Sequence, residues 1–142
     1  MTTTLFPGVE EALRHLHAAG LPLGLVTAGP TAIVGPQVER LGLVDLLHVR
    51  VFGDDTLEQK PHPAPLRLAL DRLGLAGDAA SVAFLGDAPD DMRMARSVGA
   101  HGIGIPSRLS ERDELVEAGA EATAGSVAEW SSRLFLDGRA VT

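Results

Sequence analysis

Short apolar runs alternate along the chain with stretches of helical period, and glycine or proline marks the junctions. In VEEALRHLHAAG, Val9, Leu13 and Leu16 share one face and Gly20 supplies a stop, so the spacing predicts a helix over 9–20. LPLGLVT (21–27) reads as a strand, followed by a turn at Ala28-Gly29-Pro30 and a helix to about Leu41. VRVFG (49–53) is the next strand, and APLRLALDRLGL repeats Leu66, Leu70 and Leu73 with a 3.6-residue period. SVAFLGD (81–87) is a third strand, with a helix over Asp90–Val98, and HGIGI (101–105) is a fourth. ERDELVEAG is helical, EATA is a short edge strand, and SVAEWSSRL is the last helix.

Strands that are apolar almost throughout, separated by helices, imply a parallel sheet covered on both faces, a Rossmann-like α/β fold. No shift of composition and no repeat beyond the βα alternation divides the sequence, so residues 1–142 are expected to form one domain. That length suffices for a real core, which 45% hydrophobic and only 4% aromatic residues must build from Leu, Val, Ala and Ile. The net charge of −7 argues against nucleic acid and anionic membranes as partners. The sequence has no cysteine, which removes disulfides and thiolate metal sites. The start MTTTLFPGVEEAL lacks the pattern of a signal peptide and no apolar run reaches membrane-spanning length, so a cytoplasmic location is expected.

In sheets of this kind ligands bind beyond the carboxyl ends of the strands. The polar residues there are Thr27, Asp54 with Asp55, and Asp87, three strand ends that together suggest one site. Thr27 precedes a helix and can either cap a backbone N–H or direct its hydroxyl and neighbouring amides at an anion. Lys60 is the only lysine among twelve basic residues and lies in the rigid loop QKPHPAP. An ammonium is a compact point charge suited to a phosphate oxygen or a carboxylate, although a lone lysine can also arise by chance. Asp87, Asp90 and Asp91 follow an apolar strand within five residues. Acids in the first turn of a helix favour its dipole, which accounts for Asp90 and Asp91 but not for Asp87, on the strand side of Pro89. Mg²⁺ commonly takes one or two carboxylates plus substrate phosphate, so metal binding and capping together explain the acids best. His15, His17, His48, His62 and His101 show no ligand spacing and are expected to be structural or solvated.

The segments VTAG (26–29), QKPHPAPLRLAL (59–70) and FLGDAPDDMRMARSVGA (84–100), in this order and spacing, resemble motifs II, III and IV of the haloacid dehalogenase-like hydrolase superfamily. The similarity is to its phosphoglycolate-phosphatase-like members, and PGVEEALRHLHAAGLPLGLVT (7–27) resembles the segment that follows their cap domain. The match runs from residue 7 to about 130. The resemblance implies a phosphomonoesterase core in which Thr27 and the adjoining Ala28 hold the substrate phosphate and Lys60 neutralises phosphate and nucleophile. It further implies Asp87 as a Mg²⁺ ligand with Asp91 supporting it, and a small phosphorylated metabolite as substrate. Ala28 stands where the family often has Asn and Ala88 where it often has Ser, each removing a polar contact.

The family's first motif, an apolar strand ending D-x-D-G-T, supplies the nucleophile and the acid/base, and no such sequence occurs in the 142 residues. In the family that strand is central, between those corresponding to LPLGLVT and SVAFLGD, so these two are expected either to pair directly or to admit another segment. The C-terminal residues, where Leu136-Asp137-Gly138 resembles part of the missing motif, and a partner chain or second copy are the candidates. Two readings follow. The chain is a Mg²⁺-dependent phosphatase core, without turnover by itself for lack of the nucleophile, or it is a non-catalytic pseudophosphatase that binds phosphate, metal or another protein.

Overall fold

The computed structural model describes residues 9–107 and 110–136. Asp137 and the rest of 137–142 lie outside the described residues, as do 1–8. Among the described residues six α-helices and five short strands alternate in the expected order: α1 (Val9–Ala18), β1 (Gly24–Val26), α2 (Thr31–Arg40), β2 (Val49–Val51), α3 (Ala64–Arg72), β3 (Ala83–Gly86), α4 (Pro89–Val98), β4 (His101–Gly104), α5 (Arg112–Glu117), β5 (Ala122–Thr123) and α6 (Val127–Leu136). The fold is α/β with parallel strands flanked by helices, as the alternation predicts.

Prolines set several helix starts. Pro30 precedes α2, Pro63 precedes α3 and Pro89 opens α4, positions where a fixed φ helps and a missing N–H costs nothing. The leucine period then decides what each helix covers. In α3, Leu66, Ala69 and Leu70 are buried against Val49 and Val51 of β2 and against Met94 and Ala95 of α4. A second cluster, Val38, Leu43, Leu46 and Leu47, packs with Leu13 of α1 and Leu23 and Leu25 around β1. The third, Met92, Leu115 and Ala118, seats α5 on α4.

Among the described residues the strands form two parallel sheets. β1 pairs with β2, and separately β3 pairs with β4 and β4 with β5. β1 and β3 do not pair directly, and among the described residues no strand lies between them. A cavity of about 250 Å³ separates them. Its walls are β1, β3, α1, α6 and α3, contributed among others by Val26, Phe84, Leu16, Trp130 and Leu70. The apolar cluster under α3 includes both Val26 and Phe84, so this helix joins the two sheets without a shared hydrogen-bond ladder.

Candidate functional site

The carboxyl ends of β1 and β3 carry the loops in which the sequence places its chemistry. Thr27 follows β1 and is half-buried, and its N–H donates to the Val51 carbonyl at 3.0 Å, which fixes the end of the strand. Its Oγ1 accepts the Gly29 N–H at 3.1 Å, closing a tight turn while its own O–H proton stays available as a donor. Ala28 is exposed within that turn, and its carbonyl lies against Gly53, where a Cβ would stand 2.0 Å from the oxygen. Gly53 also donates its N–H to the Gly29 carbonyl at 2.8 Å. Only a residue without a side chain permits this approach of two loops, and the sequence pattern gave no sign of it.

Lys60 and Asp91 form the strongest polar contact of the region. The ammonium Nζ stands 2.6 Å from Asp91 Oδ1. Asp91 is buried, with 4% of its surface accessible, and Lys60 is half-buried. The other carboxylate oxygen, Oδ2, accepts the Ala88 N–H at 3.2 Å, which ties the entry to α4 because Ala88 has no side-chain oxygen with which to cap it. Both oxygens of Asp91 are therefore engaged. Gly86 makes room for this, since a Cβ there would stand 2.4 Å from the Cβ of Asp91. On the other side, the peptide between Lys60 and Pro61 is cis, and Gln59 donates its side-chain amide to the Gly53 carbonyl. The loop of Lys60 is thus fastened to the loop beside Thr27.

The remaining acids divide by role. Asp87, half-buried after β3, has no hydrogen-bond or ion-pair partner among the described residues. Asp90 pairs with Arg93 at 2.9 Å across one turn of α4 and faces solvent. Asp54 Oδ1 accepts the N–H of Thr31 at 2.8 Å and its hydroxyl at 2.7 Å, so it caps α2 from a neighbouring loop. The backbone bond from Thr31 first, and its hydroxyl second, hold the Asp54 carboxyl below the ordinary carboxylate range. Asp55 accepts the Phe52 N–H at 2.8 Å and lies 3.8 Å from Arg72. The reading of three strand ends forming one site thus needs correction at the second: Asp54 and Asp55 are occupied with closing a turn and capping a helix.

His101 has a structural role invisible in the spacing of the histidines. Its Nδ1 lies 2.5 Å from Glu121 Oε2 and its Nε2 lies 2.6 Å from the Ala80 carbonyl. The Glu121 contact, then the Ala80 carbonyl, raise the pKa of this imidazole above its ordinary value.

What remains able to meet a ligand is a hydroxyl donor on Thr27, the ammonium of Lys60 oriented by a buried carboxylate, and the unpartnered carboxylate of Asp87. One oxygen of Asp91 occupies part of the ammonium, and an ammonium has further N–H donors for an anion. Among the described residues no group of three or more His, Asp or Glu is gathered in a way that would hold a cation by itself. No helix among them is long and apolar enough to cross a membrane.

Comparison with known proteins bears on this arrangement. A family model described as haloacid dehalogenase-like hydrolase matches residues 1–99. A phosphoglycolate phosphatase of Yersinia pseudotuberculosis is 45% identical over 101 residues, which cover 71% of this chain and 43% of that protein. The phosphoglycolate phosphatase of Escherichia coli strain K12 is 42% identical over 103 residues, 72% of this chain and 40% of the relative. The crystal structure of a HAD phosphatase from Thermococcus onnurineus superposes with a TM-score of 0.80 at 26% identity, covering 96% of this chain and 60% of that one. The chain thus spans less than half the length of these curated relatives.

Proposed function

Because the chain belongs to the haloacid dehalogenase-like hydrolase family, we propose that it is the phosphate- and Mg²⁺-binding core of a phosphomonoester hydrolase, inactive when it acts alone. The observation that carries this reading is the Lys60–Asp91 pair at 2.6 Å, a buried carboxylate holding the only lysine of the sequence in a loop fastened beside Thr27. Such an ammonium, fixed by one carboxylate and with further N–H donors left over, suits a phosphate oxygen. Thr27 donates its O–H to a phosphate oxygen, and the exposed Ala28 at the same turn contributes its amide. The alanine offers no side-chain contact beyond that, so binding is weak.

The donor set is compatible with Mg²⁺ of modest affinity. This ion keeps several waters and is usually held by one or two carboxylates together with substrate phosphate. Asp87 offers a carboxylate with no protein partner among the described residues, and Asp91 supports the site indirectly through Lys60. When bound, the ion would neutralise phosphate charge.

Covalent phosphoryl transfer needs an attacking group and an acid/base partner for the leaving oxygen. Thr27, Lys60 and Asp87 provide neither, and the 142 residues contain no D-x-D-G-T. The substrate class is a small phosphorylated metabolite in the cytoplasm, and turnover requires a segment or partner chain that brings the missing carboxylates. The alternative, a non-catalytic phosphate- or protein-binding module, draws support from Ala28 and Ala88, which leave the loops poor in polar side chains.

The test is turnover of a generic aryl phosphate with Mg²⁺ by the 142-residue chain, by Asp87→Ala and by Asp137→Ala. Hydrolysis at the uncatalysed rate in all three is expected. Robust turnover that disappears in Asp87→Ala would overturn the inactivity, and its loss in Asp137→Ala as well would bring the C-terminal acid into the site.

A further inference from the structure

β2 ends its sheet: among the described residues it pairs with β1 alone. In a strand the N–H and C=O of one residue point to one edge and those of the next to the other. The Thr27 N–H donates to the Val51 carbonyl, so Val51 faces β1 and the backbone groups of Arg50 and Phe52 turn to the outer edge. An open groove of about 460 Å³ follows this edge, and Arg50, Phe52, Asp55 and Arg72 are among its walls. Two side chains meet the backbone groups there. Arg72, the last residue of α3, donates from its guanidinium to the Arg50 carbonyl at 3.2 Å. Asp55 accepts the Phe52 N–H at 2.8 Å with Oδ2. That same oxygen stands 3.8 Å from Arg72 Nη1, so a cation and an anion cover the edge as a linked pair.

We propose that Arg72 and Asp55 keep the outer edge of β2 from pairing with a second copy of this chain. The inference does not depend on the phosphatase reading. A carbonyl and an N–H that a neighbouring strand would bind are already engaged by the chain's own side chains. Stability alone does not explain the pair, because both side chains are partly exposed and contacts so open to water contribute little. Their position on the edge is what gives them a use.

The edge needs such cover. Val49-Arg50-Val51-Phe52 is rich in β-branched and aromatic residues, which favour strands, and an uncovered edge of that composition recruits another chain. Val49 and Val51 pack under α3, so alternation sends the Arg50 side chain to the opposite face of the strand. In a two-fold antiparallel pairing centred on Arg50, this side chain would meet its own copy. Like charges directly opposite are destabilising, so Arg50 adds a second obstacle to the same association.

The test compares the parent chain, the double variant Asp55→Ala/Arg72→Ala and the same variant carrying Arg50→Thr, by sedimentation velocity and by amide hydrogen exchange over a range of protein concentrations. The double variant should self-associate about tenfold more tightly than the parent, and the triple variant more tightly still. In dilute double variant the Phe52 amide should lose protection, since Asp55 no longer accepts it. As concentration rises, the Phe52 and Arg50 amides should become protected together. In the parent, the protection of both should not depend on concentration. Self-association of the double and triple variants equal to the parent's would overturn the proposal, and so would association that leaves the Arg50 and Phe52 amides unchanged. Protection of these two amides that rises with concentration in the parent would show the covered edge already pairing, and would overturn it even if neither variant folds.

Discussion

Lys60 and Asp91, 31 residues apart, meet at 2.6 Å and join the loop before α3 to the first turn of α4. The contact serves two ends at once. It orients an ammonium at the carboxyl ends of the strands, and it fastens together two helices whose apolar faces meet in the main core.

Removing the carboxylate should therefore cost more than a surface pair does. Asp91→Ala leaves Lys60 without its partner and the Ala88 N–H without an acceptor, and a loss of about 2–3 kcal/mol is expected. Asp91→Asn retains an acceptor and should lose about half as much. Urea unfolding of the three proteins measures both, and a midpoint for Asp91→Ala equal to the parent would show that the pair contributes nothing.

Gly86→Ala tests the space that Asp91 occupies. The added methyl would stand 2.4 Å from the Asp91 Cβ, both atoms being fixed to backbone, so the start of α4 must shift. Overpacking of this kind costs about 1–3 kcal/mol, and the shift should separate Asp91 from Lys60. Thermal unfolding gives the cost. An unchanged Tm would contradict the close contact of β3 with α4 at Gly86.

Two groups predict opposite pH dependences. The pKa of His101 is raised in the fold, chiefly by Glu121, so its contribution is fully present below the unfolded value and is lost as pH rises through the folded one. The stability difference between the parent and His101→Asn should accordingly be larger at pH 5.5 than at pH 8.5. The Asp54 carboxyl is lowered by Thr31, so its contribution is present above the ordinary carboxylate range and disappears as pH falls through the folded value. The parent should exceed Asp54→Ala near neutrality and converge with it in strong acid. Denaturant midpoints across pH decide both cases, and gaps independent of pH would contradict the assignments.

The order and kind of the elements were legible because each rests on local pattern, such as the leucine period of α3 or the apolar run of β3. The strands proved shorter than their apolar runs; only Gly24–Val26 of 21–27 pairs as a strand. A run records burial, whereas pairing needs a neighbour, and among the described residues β1 pairs on one edge only, with β2. Lys60 and Asp91 could be singled out by residue type and position, but their contact joins distant segments and no spacing rule contains it. The same is true of Asp54. At a strand end its carboxylate looked like part of a ligand site, until the position of Thr31 in space made it a helix cap. Gly53 and Gly86 were silent for a related reason: a glycine announces a turn, and only the structure reveals what it lets through.

The central claim, that Lys60 and the loop of Thr27 form a phosphate site completed by Asp87, is tested most directly by titrating the chain with inorganic phosphate, with and without Mg²⁺, and following backbone amide shifts. Amides at 27–29 and 60 should move first, with millimolar affinity that Mg²⁺ improves. Lys60→Met should weaken phosphate binding at least tenfold, and Asp87→Ala should abolish the gain from Mg²⁺ while leaving phosphate binding in its absence within about twofold. Phosphate affinity unchanged in Lys60→Met, or shifts confined to residues away from these loops, would contradict the account.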